Sequence, residues 1–232
     1  MVKYLIIEGL IGVGKTSLCR LLERRLGARL VLEPCDDNPF LAAFYGDKDR
    51  YAFPAQMFYL ASRYDQQLRL AQPELFADLV VADYHFAKDR IFAEQTLDGA
   101  ELALYDRFAG LLRDRVPRPD LVLFMDAPTE VIRRRIARRA ISAEQVIAAE
   151  YLDALRERYY ALWSRYDEAP VYVLDTSSIN YVDEPADEER MVAMVRGWLE
   201  GRPVEGSPPP YRGPDKAQLS LFADPPEPRS PA

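Results

Sequence analysis

The run GLIGVGKTS from Gly9 to Ser17 constrains this chain more than any other stretch. It follows the apolar segment KYLIIE, which starts at Lys3, and opens an amphipathic stretch carrying Leu18, Leu21 and Leu22. Gly9, Gly14, Lys15 and Thr16 have the G-x-x-x-x-G-K-[ST] spacing of a phosphate-binding loop, in the strand-then-helix setting such a loop requires. Glycines let backbone N–H groups turn inward around an anion, and the N-terminus of the following helix adds its dipole. The residues expected to hold the phosphates of a nucleoside triphosphate are therefore Gly9, Leu10, Ile11, Gly12, Val13, Gly14, Lys15, Thr16 and Ser17. Lys15 reaches the outer phosphates, and the Thr16 hydroxyl is suited to ligate Mg2+. A glycine-rich turn that binds nothing is the plain alternative, and spacing and setting together outweigh it.

Such a loop sits in a parallel sheet, and the rest of the chain has that rhythm. Short apolar runs predict strands at 3–8, 29–33, 79–82, 121–126 and 171–175, with amphipathic helices at 15–26, 51–71, 98–115, 128–139, 143–165 and 186–200. The fold class expected is α/β: a phosphate-loop three-layer sandwich with a five-stranded parallel sheet flanked by helices. Half of the 18 prolines fall after Gly201. The chain therefore divides into a folded domain, 1–201, and a disordered Pro-rich tail, 202–232.

The formal charge of −7 argues against wholesale binding to nucleic acid or to an anionic membrane, so an anion must meet a local basic site. With no apolar run long enough to span a bilayer and no signal peptide in the opening residues, a cytoplasmic location is expected. Two cysteines, Cys19 and Cys35, and one histidine, His85, provide neither a disulfide framework nor a zinc cluster. Both cysteines read as core or near-core groups.

Catalytic residues in such a sheet gather at the carboxyl ends of strands. Glu33 and Pro34 close the second strand and Asp83 closes the third, so two acids flank the phosphate loop, one suited to act as a base and one as a magnesium ligand. The stretch VIRRRIARRAISAEQ places Arg133, Arg134, Arg135, Arg138 and Arg139 within a few turns. Arg135 and Arg139 are four apart and share a helix face, as a lid over transferring phosphates at about 133–144 requires.

These motifs, with DNPFLAAFY, QMFYLASR from Gln56 to Arg63 and ADYHFAKDRIFAEQTL, resemble the deoxyribonucleoside kinase family, most closely its bacterial deoxyguanosine and deoxyadenosine kinase branch, over residues 3–200 in register. The resemblance implies ATP-dependent 5′-phosphorylation of a deoxyribonucleoside, a purine one, in nucleotide salvage. It implies that Glu33 takes the proton from the sugar 5′-hydroxyl and that Asp83 with Thr16 forms the magnesium site. Tyr45 and Glu144 match the pair on the 3′-hydroxyl, Gln56 the amide that bonds the base, Arg63 with Asp89 the pair tuning base choice, and Phe92 the ring stacked on it. Arg135 and Arg139 match lid arginines, and Tyr181 lies in the strip against the ATP adenine. A homodimer is also implied, and the helices at 51–71 and 98–115 are long enough to form it.

Two departures stand out. Tyr84 follows the magnesium acid where many relatives carry Arg, and Lys88 four residues on, taken as part of the same helix face, is a candidate for the missing charge; Lys88 and Asp89 compete for one structural position. Ile141 stands where a further lid arginine is usual. The alternatives are a nucleoside monophosphate kinase of the thymidylate type and a phosphate-loop ATPase or switch protein. In the tail, QLSLF at Gln218, Leu219, Ser220, Leu221 and Phe222 looks like a docking peptide for the bacterial DNA sliding clamp.

Overall fold

The computed structural model describes residues 3–33, 38–70, 78–113, 115–140, 144–145, 147–202 and 204–213, without the side chains of Ala42 and Tyr45. Five strands form one sheet: β1 (Lys3–Gly9), β2 (Arg29–Val31), β3 (Leu79–Ala82), β4 (Leu121–Asp126) and β5 (Val171–Asp175). All neighbours are parallel, in the order β2-β3-β1-β4-β5. Central β1 pairs Leu5 with Val81 on one side and with Leu121 on the other. The β4 residues are buried throughout, as are those of β1 after Lys3, which is why their sequences read as unbroken apolar runs rather than alternating ones.

The helices are α1 (Lys15–Leu26), α2 (Leu41–Gly46), α3 (Lys48–Leu70), α4 (Lys88–Thr96), α5 (Gly99–Arg113), α6 (Thr129–Arg139), α7 (Ala149–Trp163) and α8 (Pro185–Leu199). Helix α1 packs on α8, while α3, α4, α5 and α7 pack together. The main core joins the sheet to α1, α7 and α8 and includes Cys19. A second, smaller core of Ala52, Leu60, Phe86, Ala93, Leu97 and Tyr105 lies among α3, α4 and α5.

All five expected strands form, although β2 stops at Val31, leaving Glu33 in the loop beyond it. Helix α2 was not expected, and α4 was implied only by the helix face taken for Tyr84 and Lys88, whereas it begins at Lys88. The Asp47 carboxylate accepts the Arg50 N–H at 3.2 Å and so caps α3 from Lys48, which puts Pro54 in its second turn. Between α4 and α5 the chain turns extended at Leu97, so the periodic stretch expected from 98 belongs to a second helix. Helix α7 starts at Ala149, later than the expected 143.

The tail boundary at 202 also needs correction. Val204 packs against Gly197, Pro210 forms an antiparallel bridge with Tyr172, and the Tyr211 N–H donates to the Val171 carbonyl at 2.7 Å. Residues 204–213 therefore cover the exposed edge of β5, which an uncovered strand would leave open to other chains. Gln218–Phe222 lie outside the described residues, as do Pro34, Cys35 and Ile141.

Candidate active site

The phosphate loop joins β1 to α1 across the carboxyl end of the central strand. Its shape depends on glycine: Gly14 has φ +114, and a Cβ there would lie 2.3 Å from the Tyr181 hydroxyl. That hydroxyl donates to the Gly14 carbonyl at 2.9 Å, so Tyr181 braces the loop from the β5–α8 connection. The Lys15 ammonium folds back on the Gly9 and Leu10 carbonyls at 2.8 and 3.0 Å. Burial lowers its pKa and nearby Lys88 lowers it further, against the pull of Glu8, Glu33 and Asp83.

The two acids meet this loop. Asp83 accepts the Thr16 hydroxyl on Oδ2 at 3.1 Å and the Glu33 backbone N–H on Oδ1 at 2.8 Å, so one buried carboxylate links the ends of β1, β2 and β3. Glu33 projects toward α3 and α4, where each of its oxygens meets a cation. Arg63 Nε lies 2.9 Å from Oε1, with Nη2 on the same oxygen, and Lys88 Nζ lies 2.7 Å from Oε2. Burial by itself would raise the Glu33 pKa, but Lys88 and Arg63 together hold it well below the usual carboxylate range.

Arg63 also pairs with buried Asp89, whose other oxygen accepts the Tyr105 hydroxyl at 2.6 Å. Lys88 and Asp89 are therefore not competitors for one place. They are successive residues at the start of α4, one turned to Glu33 and the other to Arg63. Tyr84 lies before α4 and does not share a helix face with Lys88. It is fully buried, and its hydroxyl bonds Gln66 at 2.7 Å. Lys88 was the charged partner that sequence reasoning weighed but did not place in the site, because the start of α4 was not visible.

The Gln56 amide donates to Thr96 Oγ1 at 3.0 Å, while its buried Oε1 has no partner among the described residues. Phe92 is half-buried on α4, 5.5 Å from the Lys88 ammonium. Arg63 and Lys88 thus meet Glu33 from α3 and α4, Asp89 backs Arg63, Phe92 lies one turn beyond Lys88 on α4, and Gln56 lies about two turns before Arg63 on α3. Tyr45 belongs to α2, but its side chain is not among those described.

Helix α6 closes the other side. Arg135, Arg138 and Arg139 line a cleft of about 520 Å³ with Gly12 to Ser17, Arg20 and the stretch Ile179 to Asp183. Arg135 donates to the Val13 carbonyl at 3.1 Å and to the Thr176 hydroxyl and carbonyl at 2.9 and 2.6 Å. Arg138 pairs with Asp183 at 3.3 Å and Arg139 with Glu144 at 3.2 Å. Glu144 therefore meets the lid here, and its second oxygen is buried without a partner among the described residues. Arg20 and Asp183 were not picked out from sequence, since nothing local distinguishes them from surface residues, whereas Asn180 lies in the DTSSINY loop that carries Tyr181.

Thr16 and Asp83 offer two oxygen donors, and no group of three His, Cys, Asp or Glu side chains is poised for a metal among the described residues. That donor set fits a small hard cation that draws most of its shell from phosphate oxygens and water, as Mg2+ does. No described helix is long and apolar enough to cross a membrane.

Residues 5–200 match the family model described as deoxynucleoside kinase. The chain is 33% identical over 204 residues to a deoxyguanosine kinase of Bacillus subtilis (strain 168), covering 83% of this chain and 96% of that one. It is 27% identical over 203 residues to the deoxyadenosine/deoxycytidine kinase of the same organism, covering 82% and 89%. A solved deoxyadenosine kinase from M. mycoides, with dCMP and a flexible dCDP bound, shares the fold at a TM-score of 0.70 and 22% identity, over 85% of this chain and 99% of that one. The family match begins inside β1 and runs past the end of α8, and the chain belongs to the deoxynucleoside kinase family.

Proposed function

We propose that this kinase transfers the γ-phosphoryl group of ATP to the 5′-hydroxyl of a purine deoxyribonucleoside, deoxyguanosine or deoxyadenosine, in nucleotide salvage. The observation that carries the reading is the contact chain Thr16–Asp83–Glu33, which sets a carboxylate beside the phosphate loop. Glu33, ionised between Lys88 and Arg63, accepts the 5′-proton as the oxygen attacks. Its low basicity suits a loose transition state, in which the attacking oxygen becomes acidic late. Lys15, Arg135 and Arg139 offset charge on the transferring group. Mg2+, held by Thr16 and Asp83, supplies neutralisation of the outer phosphates when bound.

On this reading the Gln56 oxygen, buried and without a partner among the described residues, is completed by a donor on the base edge, with Arg63 and Asp89 shaping the choice of base and Phe92 stacking on it. Tyr45 and Glu144 take the sugar 3′-hydroxyl, and Tyr181 packs beside the adenine of ATP. The purine preference draws on relatives named deoxyguanosine and deoxyadenosine kinases. A monophosphate kinase would need a basic site for the acceptor phosphate, whereas Arg63 and Lys88 are already engaged by Glu33 and Asp89. Offering deoxyguanosine and dGMP separately with Mg-ATP discriminates the two: the account expects dGMP to form from the nucleoside, and turnover of dGMP alone would overturn it.

Two partner readings accompany this one. A homodimer is consistent with the exposed stripe Leu104, Phe108 and Leu111 on α5, and Leu111→Glu is expected to convert a dimer to a monomer in size-exclusion chromatography. Clamp docking by Gln218–Phe222 predicts that a peptide spanning 215–225 binds purified clamp and loses binding when Leu221 and Phe222 become alanine. An unbound peptide at high clamp concentration removes that reading.

A further inference from the structure

The most enclosed acid beside the site is one that the proposed chemistry does not use. Glu8, the penultimate residue of β1, is 0% exposed. Its Oε1 accepts the His85 backbone N–H at 2.7 Å, and its Oε2 accepts the Gly9 N–H at 3.0 Å and the Tyr159 hydroxyl at 3.0 Å. Gly9 begins the phosphate loop, His85 lies two residues past Asp83, and Tyr159 belongs to α7. The two backbone N–H groups can only donate, so each carboxylate oxygen must accept one of them, while the Tyr159 hydroxyl adds a third tie. Burial pushes the Glu8 pKa up, and the Lys88 and Lys15 ammonium groups oppose that push.

We propose that Glu8 is a positioning residue for phosphoryl transfer, fixing the phosphate loop against the turn that carries Asp83. The 3.1 Å spacing of Thr16 and Asp83 depends on the distance between that loop and that turn, and Glu8 bridges the two from beneath. Its hydrogen bonds go to Gly9, His85 and Tyr159 and involve neither Gln56 nor Phe92. Its loss therefore acts on the alignment of donor phosphate with acceptor, where small displacements carry large rate penalties, and spares nucleoside affinity. This rests on the function proposed above.

Glu8→Gln tests it, because the amide NH2 must then face one of the N–H or O–H donors that the carboxylate accepts. With ATP and deoxyguanosine, kcat is expected to fall about 10-fold or more while the nucleoside KM stays within about 2-fold. Tyr159→Phe removes the α7 tie alone, leaves both loop bonds in place, and is expected to keep kcat within about 2-fold. If Glu8→Gln does not fold, Glu8→Asp, which keeps the charge but shortens the reach, decides by the same split. Full kcat in the folded variant overturns the proposal. So does a parallel worsening of kcat and nucleoside KM, or a loss in Tyr159→Phe equal to that in Glu8→Gln, since either marks Glu8 as ordinary packing. A wild-type chain inactive on every deoxyribonucleoside is a different result, which removes the proposed function and this inference with it.

Discussion

Glu33 shows how much a single side chain depends on its neighbours. Alone, a carboxylate this buried would hold its proton; between Lys88 at 2.7 Å and Arg63 at 2.9 Å it stays ionised and aimed. Glu33→Gln keeps the shape and removes the proposed base, so turnover is expected to fall by roughly 10² to 10⁴ with ATP affinity nearly unchanged; an unaltered turnover number in steady-state assays would take Glu33 out of the chemistry. Gln56→Ala is expected to weaken nucleoside binding by on the order of 1 kcal/mol, measured by calorimetry, and to leave ATP binding as it was. Equal losses for both ligands would place Gln56 in the scaffold. Glu33, Asp83 and Thr16 were legible in the sequence because strand ends and loop spacing mark them. The role of Lys88 was not, since its reach to Glu33 depends on where α4 begins.

At the scale of the element, α6 is the part whose sequence says most and least at once. Five arginines in one helix announce an anion site, yet nothing in their order separates those that brace the protein from those free to move. Arg135 is half-buried and tied to Val13 and Thr176, whereas Arg139 is exposed and held by one ion pair to Glu144. Arg139→Ala is therefore expected to lower phosphoryl transfer while changing unfolding stability by less than about 1 kcal/mol, the range of exposed pairs. Arg135→Ala is expected to lower both, because it strands the Thr176 and Val13 acceptors. Thermal melts beside kinetics separate the two, and matching stability losses would contradict this division. Helix α2 and the start of α4 escaped notice for a related reason: each helix is short, and each is set by a neighbour's cap or by packing against α3 rather than by its own periodicity.

Across the whole molecule, the five strands were written in the chain as apolar runs because a parallel sheet covered on both faces buries its central strands almost completely, while nothing in those runs set the strand order. What proline content could not convey is that residues 204–213 lie on the β5 edge, where Tyr211 and Pro210 meet β5 through backbone contacts and composition carries little weight. The acidic chain places Lys15, Arg20, Arg135, Arg138 and Arg139 around the cleft at the phosphate loop, and this local field suits a polyanionic donor. The most direct measurement is the specificity constant for each of the four common deoxyribonucleosides with Mg-ATP, with the product identified as the 5′-monophosphate. The account predicts that deoxyguanosine or deoxyadenosine leads, with label from [γ-32P]ATP recovered at the 5′ position. A lead for thymidine or deoxycytidine, or label released only as inorganic phosphate, would contradict it.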